Sequence, residues 1–191
     1  MEPVAALTSA NAEFESRLRQ ITSDRWDLPT PCPDWNVRAL VNHVLLGTRM
    51  SVHVLSGMPR AEVIAHLDDD LMAGATDPVA DFVELADRMV AGFSGSGGLD
   101  GMVEHPAGDF PRQMFCGFRV ADGACHAWDL ARAIGADETL DVELVQFLWD
   151  DAQPQRDMIA ATGMFGEGAS GALGDDAPLQ SRYLDLMGRR P

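Results

Sequence analysis

The sequence predicts an all-α bundle with an extended tail. Three observations lead there: apolar residues recur at three- and four-residue steps over long segments, residues suited to helix starts and stops bound those segments, and alternating strand patterns are scarce. With 191 residues, 46% of them hydrophobic and 23% charged, the chain suits one soluble domain that buries its core without disulfides.

The first helix spans residues 3–22, with Pro3 at an early helical position and Val4, Leu7, Phe14, Leu18 and Ile21 near one stripe. Residues 23–35 hold three prolines and no helical period, so they form a loop whose Trp26, Leu28 and Trp35 pack over one end of the bundle. Asn36 caps a second helix running to about Gly57, with Val37, Leu40, Val41, Val44, Gly47, Thr48 and Leu55 as its stripe. A short helical piece follows over residues 60–67, and Asp68–Asp70 is solvated surface. Asp77 and Pro78 start a third long helix through Phe93, with Val79, Phe82, Val83, Leu85, Ala86, Met89 and Val90 inward. Ser94–Gly101 is a flexible glycine-rich loop.

Pro111–Ile134 is the next helix, with Met114, Phe118, Ala121, Cys125, Trp128 and Ala131 as its core stripe and Gly135 as its C-cap. A fifth helix covers residues 141–162, kinked or broken at Pro154. From Gly163 the chain is a tail, glycine-rich at first and ending in the amphipathic segment Leu179–Met187. Residues 1–136 are thus expected to form the bundle and residues 137–191 a helix and tail packing on it, one domain overall.

Charge and composition exclude several functions. The net charge is −16, all 14 basic residues are arginine, and the one adjacent basic pair is Arg189-Arg190, so a nucleic-acid binder is not expected. No run approaches the ~20 apolar residues of a membrane span, and the N-terminus lacks the basic start and apolar core of a signal peptide. Cys32, Cys116 and Cys125 form no CxxC pair and suit a reducing, cytoplasmic setting.

Chemistry is expected where polar residues fall on apolar faces. Asp122 and His126 stand four apart on one helix, about 40° apart in projection, so their side chains reach toward one point. His43 leans inward from the second helix, three after Leu40 and four before Gly47. Two imidazoles and a carboxylate suit a divalent ion with one open position. Spacing alone more often marks a hydrogen-bonded Asp122–His126 pair and a satisfied core His43 than a metal site. His53, His66 and His105 show no partnering pattern and are expected at the surface, His53 being at best close to a ligand.

Two segments carry a resemblance. TPCPDWNVRALVNHV (residues 30–44) is similar to the Cys-Pro-x-Trp-x-Val-Arg-x-Leu-x-x-His signature of the metal-binding N-terminal domain of mycothiol-dependent maleylpyruvate isomerases, in the DinB/YfiT-like superfamily. DGACHAWDLARAIG (residues 122–135) resembles its acidic-x-x-x-His-x-x-Asp-Leu-Ala pattern, and the ending GDDAPLQSRYLDLMGRRP resembles a short, mostly uncharacterised subgroup. The resemblance implies a DinB/YfiT-like four-helix bundle with an additional C-terminal helix, and metal ligands at His43, Asp122 (glutamate in the isomerases) and His126. Asp129 matches the motif as a partner of a ligand histidine, or pairs with Arg132 instead. Cys32 reads as loop packing.

The implied cofactor is a divalent ion, zinc or else nickel, with mycothiol as a possible co-substrate and a small thiol or electrophile as partner. The implied function is that of a metal-dependent thiol transferase-like enzyme; a metal-dependent hydrolase and a non-catalytic metal or small-ligand binder start from the same ligands. Further catalytic residues are not identified by the resemblance. The isomerases carry a further C-terminal domain, for which residues 137–191 leave too little chain, so substrate does not travel with fold and metal. Tyr183, Leu184 and Met187 form an apolar face that suits docking on the bundle or on a second copy as a homodimer.

Overall fold

The computed structural model describes residues 1–95, 97–162 and 168–191, with the side chain of Thr162 also outside the description. Ser96 of the expected glycine-rich loop and residues 163–167 at the start of the expected tail lie outside the described residues. The chain divides into two compact units, Glu2–Glu138 and Thr139–Pro191 with Met1.

The first unit is mainly helical. Its elements are α1 (Pro3–Leu18), α2 (Val37–Leu55), the short α3 (Arg60–Ile64), α4 (Pro78–Ser94), an antiparallel hairpin of β1 (Met102–His105) and β2 (Gly108–Pro111), and α5 (Arg112–Ile134). Helix α1 packs on α5 and α4, and α2 packs on α4 and α5. Small residues let α1 and α5 approach closely: Ala6, Ala10, Ala124, Ala127 and Ala131 are buried, and Gly123 faces Ala10. Phe14 and Phe82 join α1 to α4 with ring centroids 5.0 Å apart.

The helix ends are set by their caps. Asn36 accepts from Ala39 N at 2.9 Å and Asp77 from Ala80 N at 3.0 Å, each satisfying an orphan first-turn donor. Gly135 closes α5 in the left-handed conformation, φ 66°, where a side chain would be strained. Two expected helices stop early. Helix α1 ends at Leu18 because tighter bonds, Gln20 N to Arg17 O and Ile21 N to Leu18 O, satisfy its last carbonyls; α3 ends at Ile64 in a similar turn.

The hairpin corrects the expectation of a strand-free unit. Its strands are four residues long, a length at which alternation carries little signal. It also half-buries His105 against Phe110 and Phe115, at 5.5 and 5.3 Å, where a surface histidine was expected. The core stripe of α5 is corrected too. Met114, Phe118 and Ala121 are only half-buried, while Phe115, Cys116, Arg119 and Val120 are buried, and from Gly123 to Ala131 every residue is buried. A helix enclosed on several sides has no single apolar stripe. Asp69 and Asp70 are more than solvated surface, since they pair with Arg49 and Arg38 of α2 at 2.6 and 2.8 Å.

The second unit holds α6 (Val142–Ala152), a 3-10 turn (Gln153–Gln155), α7 (Arg156–Thr162) and α8 (Leu179–Leu186). Asp141 caps α6 through Leu144 N, and Pro154 sits in the 3-10 turn where the expected long helix breaks. Helix α8 packs on α6. Tyr183, Leu184 and Met187 are buried. Among the described residues no helix is long and apolar enough to cross a membrane.

Candidate metal centre

His43 stands in the second turn of α2, and Asp122 and His126 stand one turn apart on α5. The contact between these helices brings the three together: one ligand atom from each lies within 4.8 Å of the others. Asp122 Oδ1 is 3.4 Å from His43 Nε2 and 3.6 Å from His126 Nε2. Charge-assisted hydrogen bonds are shorter, about 2.7–2.9 Å. The edges of a tetrahedron with arms of about 2.1 Å are, however, ~3.4 Å long, so the three atoms stand at the spacing of zinc ligands.

The donor chemistry fits as well. Asp122 Oδ2 is buried with no hydrogen-bond partner among the described residues; Arg119 Nη2 lies 3.1 Å away as an ion pair without hydrogen-bond alignment. His126 is 6% exposed whereas the His43 side chain is 39% exposed, so the cluster opens toward solvent on the His43 side. Asp129 is fully buried, with Oδ2 3.0 Å from His126 Nδ1, which leaves Nε2 facing Asp122 and His43. Arg132, the other partner considered for Asp129, pairs with Glu138 at 2.9 Å.

The loop before α2 completes the wall. Thr30 N bonds Trp35 O at 3.2 Å, Thr30 Oγ1 bonds the same carbonyl at 2.9 Å, and Val37 N bonds Leu28 O at 3.0 Å. This fold of the loop sets the Trp35 ring 4.5 Å from that of His43 and 5.7 Å from that of His126. Leu28 stays 36% exposed, so only part of the expected packing forms. Cys32, read from the sequence as packing, lies with Sγ 3.5 Å from Asp129 Oδ2; Cys32, His126 and Asp129 form a second cluster of metal-competent atoms.

The remaining histidines are not among the clustered ligand atoms of the described residues. His53 and His66 face each other with rings 5.7 Å apart, a pairing their spacing did not announce, and His66 Nδ1 is 3.2 Å from Asp69. Sequence reading missed three neighbours of the centre: Arg119, Trp35 and Gly47. Arg119 carried a signal, since it precedes Asp122 by three on one helix face. Gly47 carried none beyond its place in the α2 stripe.

Electrostatics divide the cluster. Burial alone would raise the Asp122 carboxyl, but the Arg119 and His126 charges and hydrogen bonding with the two histidines hold it well below the usual carboxylate range. Burial alone would lower His126, but the Asp122 charge and hydrogen bonding with Asp122, Asp129 and Cys32 raise it well above its usual value. In the metal-free protein the His126 contribution to stability is therefore complete below about pH 6.5 and is lost as pH rises through the raised value. The Asp122 contribution is present above about pH 3.9 and is lost as pH falls through the depressed value. Thermal unfolding of metal-free protein from pH 6.5 to 9 is expected to show a falling Tm in the wild type and a flatter profile in His126→Gln. Parallel profiles would contradict this assignment.

Comparison with known proteins follows the same segments. Residues 7–131, which contain His43, Asp122, His126 and Asp129, match the family described as mycothiol maleylpyruvate isomerase N-terminal domain. Two relatives in Mycobacterium tuberculosis, Rv0738 of strain H37Rv and MT0763 of strain CDC 1551, are each 31% identical over 148 residues, covering 75% of this chain and 74% of the relative. Both are described as uncharacterised proteins. No solved structure matches the chain.

Proposed function

The chain belongs to the mycothiol maleylpyruvate isomerase N-terminal domain family, and from that premise we propose that it is a metal-dependent, thiol-using enzyme acting on a small electrophile. The ion is divalent, zinc or nickel, held by His43 Nε2, Asp122 Oδ1 and His126 Nε2. The observation that carries this reading is the spacing of those atoms, 3.4 and 3.6 Å about Oδ1, too long for strong hydrogen bonds and suited to shared coordination. The fold is read as the DinB/YfiT-like four-helix bundle, with α2 and α5 supplying the ligands.

A divalent ion bound there favours a thiolate over a thiol at neutral pH and so supplies a nucleophile. Asp129 holds the His126 ring so that Nε2 faces the centre. Trp35 packs beside both imidazoles, and the exposed part of His43 leaves an approach for a small thiol such as mycothiol. The charge of −16 supports a small-molecule partner over nucleic acid, and three cysteines without a disulfide among the described residues support a cytoplasmic setting.

The test is a titration of cobalt-loaded protein with mycothiol. A new sulfur-to-metal charge-transfer band, absent with a hydroxyl analogue, is the expected result. Turnover of simple esters or amides that vanishes with chelator, without a thiol band, would assign the hydrolase reading instead. A tightly held ion with neither response would leave a non-catalytic binder.

A further inference from the structure

We infer that Arg119 and Gly47 together form a latch that holds Asp122 in position as a ligand, an assignment that rests on the metal reading above. Arg119 is buried, 8% exposed, and its Nε has no hydrogen-bond partner among the described residues. Its charge is engaged by Asp122 Oδ2 at 3.1 Å. Left alone, a carboxylate one turn before a buried imidazole would close to hydrogen-bond distance, about 2.7–2.9 Å. Here Oδ1 stays 3.4 Å from His43 and 3.6 Å from His126. The pull of Arg119 on Oδ2 holds the carboxylate back from both rings and turns Oδ1 toward the space they share.

Gly47 makes room for this. It lies mid-helix in α2, one turn beyond His43, and its φ is not positive, so backbone conformation does not require glycine. A mid-helix glycine is less favourable than alanine, so its presence calls for a packing reason. A Cβ placed there would stand 2.8 Å from Arg119 Nη1, 3.0 Å from Nη2 and 3.2 Å from Cζ, inside contact distance of all three. The guanidinium thus lies against bare α2 backbone, and a Cβ at position 47 would oblige its Nη1 and Nη2 end, the part that meets Oδ2, to shift. Arg119 is a positioning residue: it acts on the ion through Asp122 and has no donor atom of its own for a cation.

The experiment measures zinc affinity by chelator competition on the full chain, with the visible spectrum of cobalt-loaded protein alongside. Variants are Arg119→Met, Arg119→Lys, Gly47→Ala and the double variant Gly47→Ala/Arg119→Met. Groups that orient ligands are worth 10–100-fold in metal affinity, so Arg119→Met is expected to weaken binding about tenfold or more and to change the cobalt spectrum. Arg119→Lys is expected to recover part of the loss. Gly47→Ala should reproduce most of it, and the double variant should bind no worse than Arg119→Met, because both substitutions remove the same contact.

Affinity within twofold of wild type for Arg119→Met would overturn the inference, as would single effects that multiply in the double variant. Should Arg119→Met fail to fold, Gly47→Ala, which gains helix propensity, carries the test, and its unchanged binding would overturn the latch. Wild type that binds zinc while these variants match it sinks the latch alone. Wild type that binds none sinks the metal reading and the latch with it.

Discussion

Replacing His43 by alanine is expected to abolish stoichiometric metal binding and leave the fold intact. The ring is partly exposed and borders Trp35, His126 and Asp122, so its loss opens no core cavity. Its expected contribution to ion binding is large. Structural zinc sites bind with ~10–16 kcal/mol over four ligands, so one ligand carries roughly 3 kcal/mol or more. Losing it weakens binding by at least about a hundredfold. Chelator competition measures that loss, and far-UV circular dichroism with a metal-free Tm within a few degrees of wild type measures the fold. His126→Ala would also lose the ion, but it strips a partner from the buried Asp129, so its loss of binding is harder to separate from loss of stability.

Asp129→Ala is the second large effect, and it strikes both quantities at once. The carboxylate is wholly buried between His126 Nδ1 at 3.0 Å and Cys32 Sγ at 3.5 Å. Without it the ring loses the contact that turns Nε2 toward Asp122 and His43, and affinity is expected to fall 10–100-fold. Metal-free stability should fall by about 1–3 kcal/mol, the cost of leaving a buried polar partner unmatched. Asp129→Asn keeps an acceptor for Nδ1 and should sit between the alanine variant and wild type on both scales. If Asp129→Ala changed Tm but not affinity, Asp129 would be a packing group and the orientation of His126 would come from elsewhere.

Much of this architecture follows from local pattern. Asn36, Asp77, Asp141 and Gly135 mark helix ends by chemistry that acts within a few residues, and the caps form where the sequence places them. Asp122 and His126 share a face because four residues nearly complete a turn. The rest depends on contacts distant in sequence. The stripe of α5 is hard to read because α1 and α2 both pack on it, so Cys125 and Trp128 belong to a core that continues around the helix. The hairpin of Met102–His105 and Gly108–Pro111 is too short for alternation to register, yet its Phe110 sits 5.4 Å from Phe118 and covers a residue expected in the core. Gly47 becomes meaningful only once Arg119 is seen lying on it. The approach of Cys32 to Asp129 likewise needs the folded loop, since 97 residues separate them.

The most direct measurement is the metal content of tag-free protein, wild type beside the double variant His43→Ala/His126→Ala, after incubation with zinc or nickel and removal of loose ions. Close to one equivalent in the wild type and none in the double variant is the expected result. One ion per chain retained by the double variant would place the metal elsewhere, and an empty wild type would leave a helical domain without a metal centre.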